Sequence, residues 1–340
     1  SMTGGSRGSG TGFLSRANEI EGLKEKGEAH QIELKQKAEE IKGSISRKES
    51  YSAGMRSGIN VLKSLKDEHD LDYKLLIDPE PTQDLDGALT MSLGSVGKVM
   101  PAIIVQGKKG HAGHCYNGFS ALSVLSDIYL RTNGSLEFSD VYEDEATVPP
   151  TWANMRDMKP GYDVSIPHRA YGYFTVFSFD STPEDAVNKL KRICTEAFEA
   201  QVAKLDAEYQ QYKKINKAER KEKIHYEPCV VAFGELCDML KEKDSEGFEK
   251  FYAEAYERTI AKVNSGETNF PSATIAIMEE VLNYSNIQYP ITIIGFAPPY
   301  YPPVHSDHVK GKEGYGTKAF EFVSELSERE YGQKVIYENY

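Results

Sequence analysis

The sequence predicts an α/β protein, a sheet covered by helices. Three observations carry this. A helix-spaced stripe (Ile59, Leu62, Leu65) leads into the short apolar strand Tyr73 to Ile77. A second strand, Val99 to Gln106, empties into Gly110-His111-Ala112-Gly113-His114 just ahead of a helix. Near the end, Ile291 to Phe296 is apolar without interruption, as buried parallel strands are, and helix Thr317 to Arg329 and strand Lys334 to Tyr337 follow it.

Composition narrows the function classes. At 340 residues the chain can hold two domains and a sizeable core. A net charge of −12 argues against a dominant role on nucleic acid or an anionic membrane. No apolar run approaches the roughly 20 residues of a membrane helix, and the N-terminus has no secretory signal. Cys115, Cys194, Cys229 and Cys237 form no CxxC pair, which points away from a zinc knuckle or disulfide framework and toward a reducing cytoplasm.

In chain order, residues 1–12 are a glycine- and serine-rich tag or linker, and 13–50 form a charged helical arm. After the 73–77 strand, Ala88 to Ser92 reads as a further strand. Asn117 to Arg131 is a helix burying Ala121, Leu125 and Ile128, and residues 132–170 read as irregular, punctuated by Pro149, Pro150, Pro160 and Pro167. Tyr171 to Phe179 is an aromatic strand. Thr182, Pro183 and Asp185 then mark the clearest helix start in the chain. Apolar residues from Ala186 to Tyr212 sustain that helix for about 45 Å. Helices follow at Phe233 to Lys241, Gly247 to Val263 and around Ile275 to Leu282, and Ala297 to Pro303 reads as an extended, polyproline-like stretch.

Few constellations carry chemistry. Glu80 stands between Pro79 and Pro81 directly after an apolar strand, where a carboxylate is pre-positioned for zinc; equally, Asp78 and Glu80 are surface turn residues. His111 and His114 could present both rings to one ligand, or be exposed loop histidines. His305-Ser306-Asp307-His308 reads as a solvated loop. Asp84 and Asp86 are too few for a calcium loop. Gly94 to Lys98 has the wrong spacing for a phosphate loop, and no nucleophile elbow or dinucleotide fingerprint is present.

Several blocks in order give a resemblance: Ser52-Ala53-Gly54-Met55-Arg56, Asp72-Tyr73-Lys74, Glu80-Pro81, Gly94 to Lys98, His111-Ala112-Gly113 with Gly118 and Ala121, Ala297 to Pro302, and Gly314-Tyr315-Gly316. From about residue 51 onward the chain resembles the zinc metallopeptidases and amidohydrolases that include aminoacylase, succinyl-diaminopimelate desuccinylase and carboxypeptidase G. Within them it resembles the branch of the arginine-utilisation protein RocB. The resemblance implies a zinc-peptidase-like α/β sheet domain (51–97 and 286–340) interrupted by an inserted α+β lid and dimerisation domain (98–285). It implies amide or peptide hydrolysis, a small amino-acid or peptide-like substrate, zinc and a homodimer. Glu80 matches a metal-binding carboxylate. His111 matches the lid histidine that steadies the oxyanion, reaching the partner's site in dimers.

The remaining ligands of that family have no counterpart here. Residues 13–50 hold no HxD pattern, His30 does not match, and Glu49 is the one carboxylate where paired glutamates are expected. The last metal histidine would lie past residue 340, so the catalytic-like domain is expected to be truncated at both ends. Two readings follow: a metallohydrolase whose missing parts lie outside this chain, or a non-catalytic lid and dimerisation module. The isolated chain is expected to be inactive.

Overall fold

The computed structural model describes residues 60–61, 63–70, 88–219 and 222–340. Residues 1–74 and 75–340 form two compact units. In the first, 60–61 and 63–69 are helical, as the stripe predicts, and Leu65 is buried. The expected arm at 13–50, the strand at 73–77, and Asp78, Glu80, Asp84 and Asp86 lie outside the described residues.

In the second unit the strands are β1 (Leu89–Ser92), β2 (Gly94–Ser95), β3 (Gly97–Gln106), β4 (Val141–Tyr142), β5 (Glu145–Ala146), β6 (Thr151–Asp157), β7 (Arg169–Ser178), β8 (Val230–Ala232), β9 (Ile291–Tyr301), β10 (Val304–His305) and β11 (Val335–Glu338). The helices are α1 (Ala121–Thr132), α2 (Pro183–Ile215), α3 (Phe233–Lys243), α4 (Ser245–Asn264), α5 (Phe270–Ser285) and α6 (Tyr315–Tyr331). The main sheet has the order β6-β7-β3-β9-β8. The pairs β6-β7, β7-β3 and β3-β9 are antiparallel, and β8 is parallel to β9. With α1 after β3 and α2 after β7, this is a β-α-β-β-α-β unit. The connection from α2 to β9 carries β8 and α3 to α5. None of the helices is long and apolar enough to cross a membrane, among the described residues.

Both faces of the sheet are covered, because β3 and β9 are apolar on both sides. Val99, Ile103 and Val105 pack with Leu125, Ile128, Leu190 and Phe198 of α1 and α2. Ala102, Ile104, Ile291 and Ile293 pack with Leu236, Phe248, Met278 and Leu282 of α3, α4 and α5. The mixed α/β architecture with a multi-strand sheet is therefore as the sequence implies. The expected division between 98–285 and 286–340 falls between α5 and β9, which pack on each other in this layered body.

Several local expectations are corrected. The uninterrupted apolar run at 291–296 is an inner strand antiparallel to β3 and parallel to β8; burial on both faces makes it apolar, whatever the direction of its neighbours. The strand continues through 297–301, expected to be polyproline-like. Pro298 and Pro299 fall where the register with β3 shifts between Lys98 and Met100, a place that needs no ladder donor. Residues 132–170, expected to be irregular, contain β6, an edge strand whose exposed Thr151 and Met155 hide the period-2 signal. The helix expected from Asn117 begins at Ala121, because residues 112–117 turn as a 3-10 segment and Ser120 supplies the cap.

The start of α2 is as read. The Thr182 hydroxyl accepts from the Asp185 N–H at 3.2 Å, and the Asp185 carboxylate accepts from the Thr182 N–H at 2.8 Å. Just before it, Asp140 fastens the turn by accepting from the N–H groups of Phe179, Asp180 and Ser181 and from the Ser181 hydroxyl. Burial raises the Asp140 carboxyl, but those hydrogen bonds outweigh it and hold it below the usual carboxylate range. A depressed folded pKa means stability that is present above about pH 4 and lost as pH falls below it. Asp140→Asn should therefore lower unfolding free energy by about 1–3 kcal/mol at pH 7. In urea denaturation the gap from wild type should close toward pH 3; a gap that stays constant with pH would refute the assignment.

Candidate functional site

The strand β3 delivers its chain into a loop, residues 107–120, that is closed at its base and pinned along one side. At the base, Lys108 and Phe119 exchange two backbone hydrogen bonds of 2.9 Å each. A Cβ on Gly107 would come within 2.0 Å of the Phe119 carbonyl oxygen, and one on Gly118 within 2.6 Å of Ile166, so this closure needs both glycines. Along the side, the Ile166 N–H donates to the Gly110 carbonyl and the Ala112 N–H to the Val164 carbonyl, both at 2.8 Å. The loop's far limb is anchored on α2: the Tyr116 ring packs on Tyr209 and Tyr212, and Phe119 on Phe198.

His111 sits at the exposed tip of this loop, opposite Ser165. Its Nδ1 accepts from the Gly113 N–H at 3.0 Å. An accepting Nδ1 carries no proton, which leaves Nε2 as the donating nitrogen. The His114 ring stands 6.0 Å away, centroid to centroid. The two histidines are thus brought together as the spacing allows. Behind the loop lies a cavity of about 220 Å³ between it, the start of α1 and α2, lined by Cys115, Ser120, Ile166, Lys204 and Glu208 among others.

The turn that pins His111 is ordered by one lysine. Lys159 Nζ lies 2.5 Å from the Asp163 carboxylate and donates to the Asp163 and Ser165 carbonyls at 3.1 and 3.0 Å. Asp163 in turn accepts from the Ser165 N–H and hydroxyl. The Lys159 and Ser165 hydrogen bonds hold the Asp163 carboxyl far below the usual range.

Sequence reasoning missed the polar network under the loop. Gln106, 4% exposed, donates to the carbonyls of Ile287 and Tyr289 and accepts from Arg169 Nε at 2.9 Å. Arg169 also donates to Asn283 at 2.6 Å and pairs with Glu279 at 3.6 Å. Next to it, burial, then Arg169 and Lys109, push the His168 imidazole down, so this ring is neutral near pH 7. The only local hint was a glutamine ending an apolar strand.

The second histidine group departs from its expectation as a solvated loop. His305 is buried at 6% exposure, because β10 pairs with β2 and brings it against Tyr142, His308 and Tyr340. Its Nδ1 accepts from the Asp307 N–H, and its Nε2 has no hydrogen-bond partner among the described residues. Asp307 accepts from the N–H groups of Gly316 and Thr317 and from the Thr317 hydroxyl at the start of α6.

Glu80, the carboxylate expected to bind metal, lies outside the described residues. Among the described residues no group of three His, Cys, Asp or Glu side chains could hold a metal ion. Catalytic zinc takes about three protein ligands, so these residues do not make such a site by themselves. All four cysteines are free thiols. Burial pushes Cys194 up, and burial with Asp238 pushes Cys237 up to about 11, which makes both poor nucleophiles.

No family model matches the chain. It is similar to the uncharacterized protein YqjN of Bacillus subtilis (strain 168), 24% identical over 270 residues that cover 77% of this chain and 47% of YqjN. It is similar to Protein RocB of the same organism, 27% identical over 169 residues that cover 49% of this chain and 30% of RocB. The matched regions thus span about half or less of these curated relatives. Among solved structures, an amidase of the hydantoinase/carbamoylase family from Burkholderia phymatum aligns over 75% of this chain and 39% of its own, at 8% identity and a TM-score of 0.33. Aminopeptidase PepT from Bacillus cereus ATCC 10987 aligns over 35% of this chain and 29% of its own, at 12% identity and a TM-score of 0.25. Neither score establishes a shared fold.

If Lys159 orders the His111 loop through Ser165, then Lys159→Ala should speed hydrogen exchange at the Ala112 amide about tenfold or more. The core amides of β3 should not change. Equal exchange at Ala112 in the two proteins would show that the loop holds without the lysine.

Proposed function

We propose that this chain is part of a RocB-type hydrolase of amide or peptide bonds, in which the layered body presents His111 to the carbonyl under attack. The observation that carries the reading is the geometry of His111. It is exposed on a pinned loop, its Nδ1 is engaged by the Gly113 N–H, and its Nε2–H is free to donate. An amide carbonyl gathers negative charge on oxygen as it becomes tetrahedral. A preorganised donor aimed at that oxygen lowers the barrier without rearranging during the reaction. The RocB similarity and the ordered sequence blocks support the reaction class.

The substrate in this reading is a small amino-acid or peptide-like amide. Zinc is the metal implied by the resemblance, with Glu80 as one ligand. Two copies pair through the 98–285 region; β6 forms the outer edge of the main sheet, where a second strand can be added. A reducing cytoplasm suits the four free thiols.

The test is hydrolysis of a panel of N-acyl amino acids and dipeptides, with zinc supplied, by the whole hydrolase to which this chain is proposed to belong. At least one substrate should turn over, and His111→Ala should lower kcat about 100- to 1000-fold while KM stays within about threefold. No turnover across the panel would refute the hydrolase reading of this chain and favour a non-catalytic lid and dimerisation module. Turnover unchanged in His111→Ala would remove the oxyanion role.

A further inference from the structure

The segment between α2 and β9 does more than cover the second face of the sheet. Between α4 and α5, over β9, it lines a cavity of about 280 Å³ that is open to solvent on one side. None of the lining residues belongs to the His111 loop or to the turn that pins it. The walls are aromatic: Phe233 from α3, Tyr252 and Tyr256 from α4, Phe270 from α5 and Phe296 from β9. No charged side chain lines it. Burial raises the Tyr252 phenol, which keeps that wall neutral at physiological pH.

One polar group stands out against these walls. Thr259 of α4 lines the cavity and is 6% exposed as a residue, and its hydroxyl is not among the buried polar atoms left without a partner. The neighbouring Thr274 behaves differently, donating to the Phe270 carbonyl at 2.9 Å within its own helix. The Thr259 hydroxyl is not shut off from solvent, so it is a hydrogen-bonding group open to a ligand among largely apolar walls. An apolar cavity of about 150 Å³ accepts benzene, and the volume here is nearly twice that.

We propose that this cavity is a binding site for a small neutral aromatic molecule, a fused ring of indole size whose polar edge meets the Thr259 hydroxyl. Ring faces stack on the aromatic walls, and a charged ligand is disfavoured because nothing in the walls would compensate its lost hydration. The site is independent of the proposed hydrolase activity.

The test is calorimetric titration of the whole protein with indole and with indene, the same ring frame without the N–H. Both should saturate at one per chain, indole more tightly. Thr259→Val, which keeps the shape of the side chain, should weaken indole about fivefold and leave indene within about twofold. Ala273→Phe, which fills the cavity, should remove binding of both. Absence of saturable indole binding to the wild-type protein would overturn the proposal. So would Thr259→Val and Ala273→Phe proteins that both bind indole with wild-type affinity.

Discussion

The structure depends on a strand that cannot face water on either side. Ala102, Ile103, Ile104 and Val105 are consecutive, and each is fully buried. Successive side chains of a strand point to opposite faces, so this run demands an apolar layer above and below. The helices α1 and α2 supply one, and α3, α4 and α5 the other. Each buried Ile or Val side chain is worth roughly 1.5–3 kcal/mol, and the same account holds for Ile293 and Ile294 of the neighbouring strand. The long connection between α2 and β9 is therefore part of the core. Without it, Ala102, Ile104, Ile291 and Ile293 would line an exposed face.

The strand stops being apolar at Gln106, and the consequence is felt in the loop beyond. A buried side-chain amide must be satisfied or it destabilises the fold. Gln106 meets that demand by bonding the chain after α5 and the guanidinium of Arg169, which is itself held by Asn283 and Glu279. The ends of β3, β7 and α5 are tied together at this point. His111 follows five residues later on a loop whose base is closed by the Lys108 and Phe119 pair. In the proposed role such support matters, because a loose donor loses its advantage over water.

Local signals were legible in the sequence, and distant ones were not. Thr182, Pro183 and Asp185 announce α2 because capping involves residues three apart. The strands at 99–106 and 171–179 are legible from apolar and β-branched content alone. His111 could be placed at a strand exit because the chain itself connects the two. Strand direction could not be read from 291–296, since burial on both faces erases the difference between parallel and antiparallel neighbours. The edge strand β6 was hidden because one of its sides faces solvent. His305 looked solvated because its burial comes from Tyr142, 163 positions earlier, and from the pairing of β10 with β2. The Gln106, Arg169 and Asn283 network was invisible for the same reason: its members lie 63 and 114 positions apart.

Covering both faces of the sheet also restricts where chemistry can take place. In a two-layer β-α-β-β-α-β unit, one face of the sheet stays open and can itself form the floor of a site. Here α3, α4 and α5 occupy that face, and the residues that would have lined such a floor are in the core. The loop after β3 emerges at the end of the sheet, which the helices leave open. The His111 loop lies at that end, pinned by the Lys159 turn, and the Gln106 network ties the strand that leads into it. The same added layer forms an aromatic-walled cavity between α4 and α5. The layer that closes one face thus leaves the exposed His111 at the strand end and adds an open, aromatic-walled cavity of its own.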